Sequence, residues 1–112
     1  MPELTDAEDR KLVVLARSTG ARAGATGAAV RDLEGRTYAS AAVALPSLAV
    51  SAIAGCLAMA ISAGSRGLEA VVVVGDDDID AADLAAVREF AGSGVPVHRV
   101  DRRGELLGTT GS

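Results

Sequence analysis

The spacing of apolar and polar positions divides the 112-residue chain into elements in the order α-β-β-α-β-α-β. Leu12, Val13, Leu15 and Ala16 lie at helical spacing behind Thr5 and Glu8, a capping-box pair, and predict a helix through about Arg17 that Gly20 ends. Thr26 to Arg31 and Arg36 to Val43 read as a hairpin around the turn Asp32-Leu33-Glu34-Gly35, with Gly35 supplying the permissive backbone. Pro46 is placed as the start of a helix over 47–63 that Gly64 stops. Val71 to Val74 is a continuous apolar run, the mark of a strand covered on both faces. Asp80 to Ala91 reads as a helix with Leu84, Val87 and Phe90 on one face, and Val95 to Val100 as a strand. Glu105-Leu106-Leu107 is a last short element, and residues 108–112 are expected to be a loose tail. No repeat or linker interrupts the chain, so residues 1–112 form one domain.

The helix over 47–63 changes this picture, because every face of it is apolar or small. Such a helix must be buried all round, and one small sheet covers only one side. The other side calls for a second subunit, so a homo-oligomer, a dimer or tetramer through helix 47–63, is expected. With one Tyr, one Phe and no Trp, the core rests on Ala, Val and Leu, which bury little area each, and this points the same way. Between Arg36 and Arg66 there is no charged residue, a length that permits a membrane span and makes a membrane-associated subunit one alternative. Against it, the stretch is rich in Ala, Ser and Gly, contains Pro46, and its helical part of ~17 residues sits at the bottom of the spanning range. A buried helix of a soluble protein is the favoured reading.

Charge narrows the partners. The net charge is −4, and the arginines are scattered apart from Arg99, Arg102 and Arg103, which lie among acidic residues. Without a basic patch or an aromatic stripe for base stacking, nucleic acid is excluded. The acidic start of the chain lacks the apolar core of a signal peptide, and a lone Cys56 permits no intrachain disulfide, so a cytoplasmic protein is expected.

Candidate chemistry is sparse. The glycine-rich segment Gly20 to Gly27 follows a helix and opens a strand, the reverse of a phosphate loop, and reads as a connection. Asp76, Asp77, Asp78, Asp80 and Asp83 are the most charged spot, but a calcium loop counted from Asp76 would need Gly and Glu where Ala81 and Val87 stand. Asp80 and Asp83 read instead as the N-cap and first turn of a helix. His98 has no acidic or cysteine partner nearby in sequence and reads as structural, as does Cys56 in the most apolar helix. Ser40, Ser47, Ser51 and Ser62 lack the Gly-x-Ser-x-Gly context of a nucleophile.

Several short segments, in order and across nearly the whole chain, resemble the cytidine deaminase family. Gly27-Ala28-Ala29-Val30, Glu34-Gly35-Arg36 and Tyr38 are similar to its Gly-Ala-Ala-Leu strand, Asp-Gly-Arg turn and second strand. Ala60-Ile61-Ser62-Ala63-Gly64 resembles its Ala-Val-Ser-Glu-Gly, Val71 to Val74 its next strand, and Arg88-Glu89-Phe90 the end of its following helix. Glu105-Leu106-Leu107 resembles its Glu-Leu-Leu-Pro. The resemblance implies a three-layer α/β/α domain with a mixed five-stranded sheet, a zinc cofactor and assembly around the central helices.

The same alignment implies a degenerate site. The family's Cys- or His-Ala-Glu motif falls on Ser51-Ala52-Ile53, so Ser51 stands for the first zinc ligand and Ile53 for the glutamate that moves protons. Its Pro-Cys-x-x-Cys motif falls on Ile79 to Asp83, so Asp80 and Asp83 stand for two thiolates. Its Asn-Val-Glu-Asn nucleoside clamp falls on Ser40-Ala41-Ala42-Val43. Ser, Asp and Asp are a poor set for zinc, which prefers Cys and His, and hydrolytic deamination needs an activated water and a glutamate. The expectation is a non-catalytic, metal-free binding or interaction module with no catalytic residue. The alternative is a divergent zinc-dependent cytidine or nucleoside deaminase.

Overall fold

The computed structural model describes Leu4 and residues 6–112. In chain order the elements are α1 (Ala7–Ala23), β1 (Gly27–Asp32), β2 (Thr37–Ala41), β3 (Val43–Leu45), β4 (Leu48–Val50), α2 (Ala52–Ser62), β5 (Leu68–Val74), α3 (Ala81–Ala91), β6 (Pro96–Val100) and β7 (Leu106–Gly111). Five strands form one mixed sheet in the order β2-β1-β5-β6-β7. Only β5 and β6 are parallel; the other neighbours run antiparallel.

The apolar run Val71 to Val74 is buried throughout, and successive side chains serve opposite faces as a strand requires. Val71 and Val73 join Ile53, Cys56, Leu57 and Val87 beneath α2 and α3. Val72 and Val74 join Leu12, Val13 and Ala16 beneath α1. The result is the expected three-layer α/β/α arrangement.

Helix α1 is longer than the sequence pattern suggests. It passes through Gly20 and ends at Gly24, whose φ of 67° closes the last turn. Gly20 does not break the helix; it lets α1 touch β1 backbone to backbone. A Cβ at Gly20 would stand 2.7 Å from the Ala25 carbonyl oxygen, and one at Gly27 would collide with the Ala16 carbonyl. At the start of α1, Asp6 is the N-cap, accepting from the Glu8 and Asp9 amides; Thr5, the capping residue read from sequence, lies outside the described residues.

Two other expectations are corrected. The helix expected over 47–63 is α2, Ala52–Ser62, eleven residues long. Pro46 and Ser47 do not open it; they form the tight turn of a separate hairpin, in which Leu45 pairs with Leu48. The reading failed because Leu48, Ala49 and Val50 are as apolar as a helix face, and three residues are too few to show a period of two. No helix among the described residues is long and apolar enough to cross a membrane, which removes the spanning alternative for this stretch. The expected loose tail, 108–112, is instead most of β7, paired with β6 from Pro96↔Gly111 to Val100↔Leu106. Ser112 fastens its end, donating from its hydroxyl to the Gly92 carbonyl and from its amide to the Val95 carbonyl.

The β1–β2 turn carries a buried carboxylate. Asp32 is 1% exposed and accepts from the Ser65 hydroxyl at 2.5 Å, the Glu34 and Arg36 amides and the Arg36 guanidinium. Burial pushes this carboxyl up, but the bonds from Ser65, Arg36 and Glu34 outweigh it and hold the group below its ordinary value. A lowered folded-state pKa contributes stability that is fully present above the unfolded value of about 4. It is lost as pH falls through the lower folded value. Acid unfolding followed by circular dichroism is expected to show this dependence, and Asp32→Asn to flatten it.

Candidate functional site

The N-termini of α2 and α3 converge at one end of the sheet. Ser51 is the N-cap of α2, and its hydroxyl accepts from the Ala54 amide at 3.0 Å. The same hydroxyl donates to Asp83 Oδ1 in the first turn of α3, at 2.7 Å. One side chain thus caps one helix and ties it to the next. A cavity of about 150 Å³ opens beside this link, bordered by Ala42, Ser51, Ile53, Asp80, Asp83 and Arg99 among others.

Of the positions that the family resemblance marks as degenerate, Ala42, Ser51, Ile53, Asp80 and Asp83 meet here, together with Asp77 and Asp78 of the acidic run. Ser40 does not. It packs against Gly55, where any Cβ would overlap its hydroxyl, and that hydroxyl donates to the Ala41 carbonyl at 3.2 Å. Gly55 is therefore needed inside the subunit for α2 to lie on β2. Asp80 occupies the N-cap position of α3, but its side chain makes no capping bond, contrary to the capping role read from sequence. Its carbonyl accepts from the Asp83 and Leu84 amides instead. Ser51→Ala is expected to cost about 0.5–2 kcal/mol as a lost cap and a lost helix–helix bond, and Asp80→Ala much less. Denaturant unfolding of the two variants checks the order.

The donor set does not fit zinc. The Ser51 hydroxyl is committed to Ala54 and Asp83, and among the described residues no three His, Cys, Asp or Glu side chains are grouped closely enough to hold a metal. Ile53 is 2% exposed and is part of the apolar core, where it has no proton to give or take. Cys56, one turn further along α2, is buried, and burial pushes its thiol up to about 12, so it is no thiolate nucleophile or ligand.

Arg99 and Thr26 were not read from sequence as site residues, and both border the cavity. Arg99 reaches it from β6 and donates to Asp78 Oδ1 at 3.0 Å. Only strand register brings it there, and no local motif signals that.

A second polar group lies on the opposite face of the sheet, beneath α1. Asp9 accepts from Arg31 of β1 at 2.9 Å and faces His98 Nε2 of β6 at 3.1 Å; His98 Nδ1 meets the Thr109 hydroxyl of β7 at 2.8 Å. A carboxylate only accepts, so Nε2 carries a proton. In the neutral ring the Thr109 hydroxyl then donates to Nδ1. The structural reading of His98 holds, though its acidic partner stands 89 residues away in sequence.

These features define a class: an α/β/α domain in which two helix N-termini meet over a small cavity at one end of the sheet. The model of cytidine deaminase-like proteins matches residues 5–104, and the chain belongs to that family. Among solved structures it is similar to the cytidine deaminase of Burkholderia pseudomallei, with a TM-score of 0.78 at 23% identity over 89% of each chain. It is also similar to that of Mycobacterium leprae, with a TM-score of 0.74 at 18% identity over 95% of this chain and 94% of the other. For that of Mycobacterium tuberculosis the TM-score is 0.72 at 22% identity, over 82% and 85%. No curated protein sequence matches significantly.

Proposed function

We propose that this chain is a non-catalytic member of the cytidine deaminase-like family that acts as an oligomeric binding or interaction module in the cytoplasm, where a lone thiol such as Cys56 stays reduced. The observation that carries this reading is the 2.7 Å bond from Ser51 to Asp83. Two positions that align with metal ligands satisfy each other, and the position of the proton-moving glutamate is Ile53. Activation of water for attack on a cytosine ring needs a metal-bound hydroxide and a carboxylate acid/base, and these residues supply neither.

The test is elemental analysis of the purified, untagged protein together with a cytidine deamination assay. No stoichiometric zinc and no turnover are the expected results. One zinc per chain with turnover overturns the proposal in favour of a divergent deaminase.

The oligomeric part of the reading rests on exposed apolar side chains. Met59 and Ile61 of α2 are 39% and 53% exposed, and Leu45 and Leu48 of the β3–β4 hairpin 59% and 52%. A second copy of this chain is the partner we assign to the α2 surface, since α2 has no charged residue to present to water. Gly55→Leu is not a usable probe, because it would disrupt the subunit itself. Ile61→Glu and Met59→Glu are. A dimer or tetramer by light scattering, reduced to monomer in these variants, is the expected outcome, and a monomeric wild-type protein removes this part of the proposal.

A further inference from the structure

We propose that a second cavity, on the α1 face of the sheet, binds a small oxyanion, a phosphate or carboxylate group free or at the end of a small molecule. This cavity, of about 150 Å³, is lined by Arg17, Gly20, Ala21, Ala25, Val74 and Arg102. It is a cationic spot on a chain of net charge −4, with two guanidiniums and no carboxylate in its wall.

Its position follows from topology. Val74 ends β5 and Val100 ends β6, the only parallel pair in the sheet, and the Gly75 amide donates to the Val100 carbonyl across the two ends. Arg102 lies in the turn that leaves β6. In open α/β sheets the crevice outside the carboxyl ends of parallel strands is where ligands lodge. Ala25 and Gly20 bring the connection between α1 and β1 to the same place.

The two arginines are arranged differently, and both arrangements suit an anion. Arg17 is held in advance: its Nε donates to the Arg102 carbonyl at 3.1 Å. Its guanidinium lies over Gly104, where a Cβ would come within 3.0 Å of Nη1. Gly104 has a φ of 95°, so the turn both requires glycine and leaves room for the guanidinium. With Nε engaged, the two Nη groups of Arg17 remain for an acceptor, and no carboxylate among the described residues pairs with them. A guanidinium fixed this way loses little further freedom when it binds. Arg102 pairs with Asp76 at 3.5 Å, but both side chains are exposed, and such a pair is weak enough to exchange for a ligand. Two of the last carbonyls of α1, those of Gly20 and Ala21, are already engaged by the Ala25 and Gly24 amides, and the two guanidiniums have to outweigh the negative end of the helix dipole. The apolar side chains of Ala21, Ala25 and Val74 complete the wall. The volume is well below the roughly 300–1,000 Å³ of drug-sized pockets, which restricts the occupant to a small anion or an anionic head group.

The test uses the full chain, labelled for amide NMR and titrated separately with inorganic phosphate and with succinate, at ionic strength held constant with chloride. Saturable shifts of the amides at 20–25 and 102–104 with either anion are the expected result, and which anion saturates identifies the group recognised. Arg17→Gln and Arg102→Gln should each weaken binding at least about tenfold. Arg17→Lys keeps the charge but loses the fork, and should fall between wild type and Arg17→Gln. Both guanidiniums lie at the surface, so the remaining amides should keep their positions in every variant. Shifts that fail to saturate with both anions, or saturation unchanged by both glutamine variants, overturn the proposal.

Discussion

Changing Ser51, Asp80 and Asp83 together to cysteine is expected to give a chain that takes up one zinc ion, where the natural sequence is expected to take up none. The three positions sit at the converging N-termini of α2 and α3, where the positive ends of two helix dipoles favour thiolates. Ser51 and Asp83 already approach within hydrogen-bond distance. Structural zinc sites contribute about 10–16 kcal/mol of binding free energy in small peptides at neutral pH. Even a fraction of that would raise the melting temperature well above that of the same variant in chelator. Elemental analysis and melting with and without chelator read the result. A folded triple variant that stays metal-free would mean these positions do not converge as the alignment implies, and the account of the site as a set of replaced ligands would fail. Ile53→Glu, by contrast, buries a carboxylate among Val73, Val87 and Leu57 and should destabilise the fold.

The second large effect is expected at Asp9. This carboxylate is buried between the Arg31 guanidinium and the His98 ring, and Glu69, at 3.8 Å from Arg31, is a distant substitute. Removing one partner of a buried ion pair typically costs about 3–5 kcal/mol, because the other charge stays buried and uncompensated. Arg31 is poorly placed to absorb the loss, since its Nη1 already has no partner among the described residues. Asp9→Ala should therefore cost about 3–5 kcal/mol in denaturant unfolding, enough to remove much of the stability of a domain this size. A loss below about 1 kcal/mol would place the group with surface ion pairs. Arg31→Met/Asp9→Leu, which removes both charges, should recover much of the loss.

What the sequence disclosed followed the strength of local signals. Val71 to Val74 announced a doubly covered strand because four consecutive apolar residues leave no solvated face. The turn at Asp32 to Gly35 was legible from its residue types, and Gly35 takes the expected positive φ. The β3–β4 hairpin was hidden because its six strand residues are all apolar and small or aliphatic, so alternation never appears. Strand β7 was hidden for the opposite reason: Gly108, Thr109, Thr110 and Gly111 carry a loop's composition, and pairing with β6 alone makes them a strand. At the candidate site the start of α2 was not legible, since the helix was expected from 47; it was the resemblance to cytidine deaminases, counted back from Gly64, that singled out Ser51, Ile53, Asp80 and Asp83 together. Their bonding was not legible either. The Ser51–Asp83 link spans 32 positions, and neither residue type announces the other.

The same long reach governs how the protein is made. Asp9 finds His98 only after 89 further residues have been joined to the chain, and at about 5–20 residues per second that interval is roughly 4–18 s. During it, α1 exists with a buried carboxylate's place prepared by Arg31 alone, and with the sheet that covers its apolar stripe still short of β6. A nascent chain stalled before His98 already has β1, β2 and β5, against which α1 packs, so its apolar stripe is largely covered, while Asp9 is left with Arg31 and without the His98 ring.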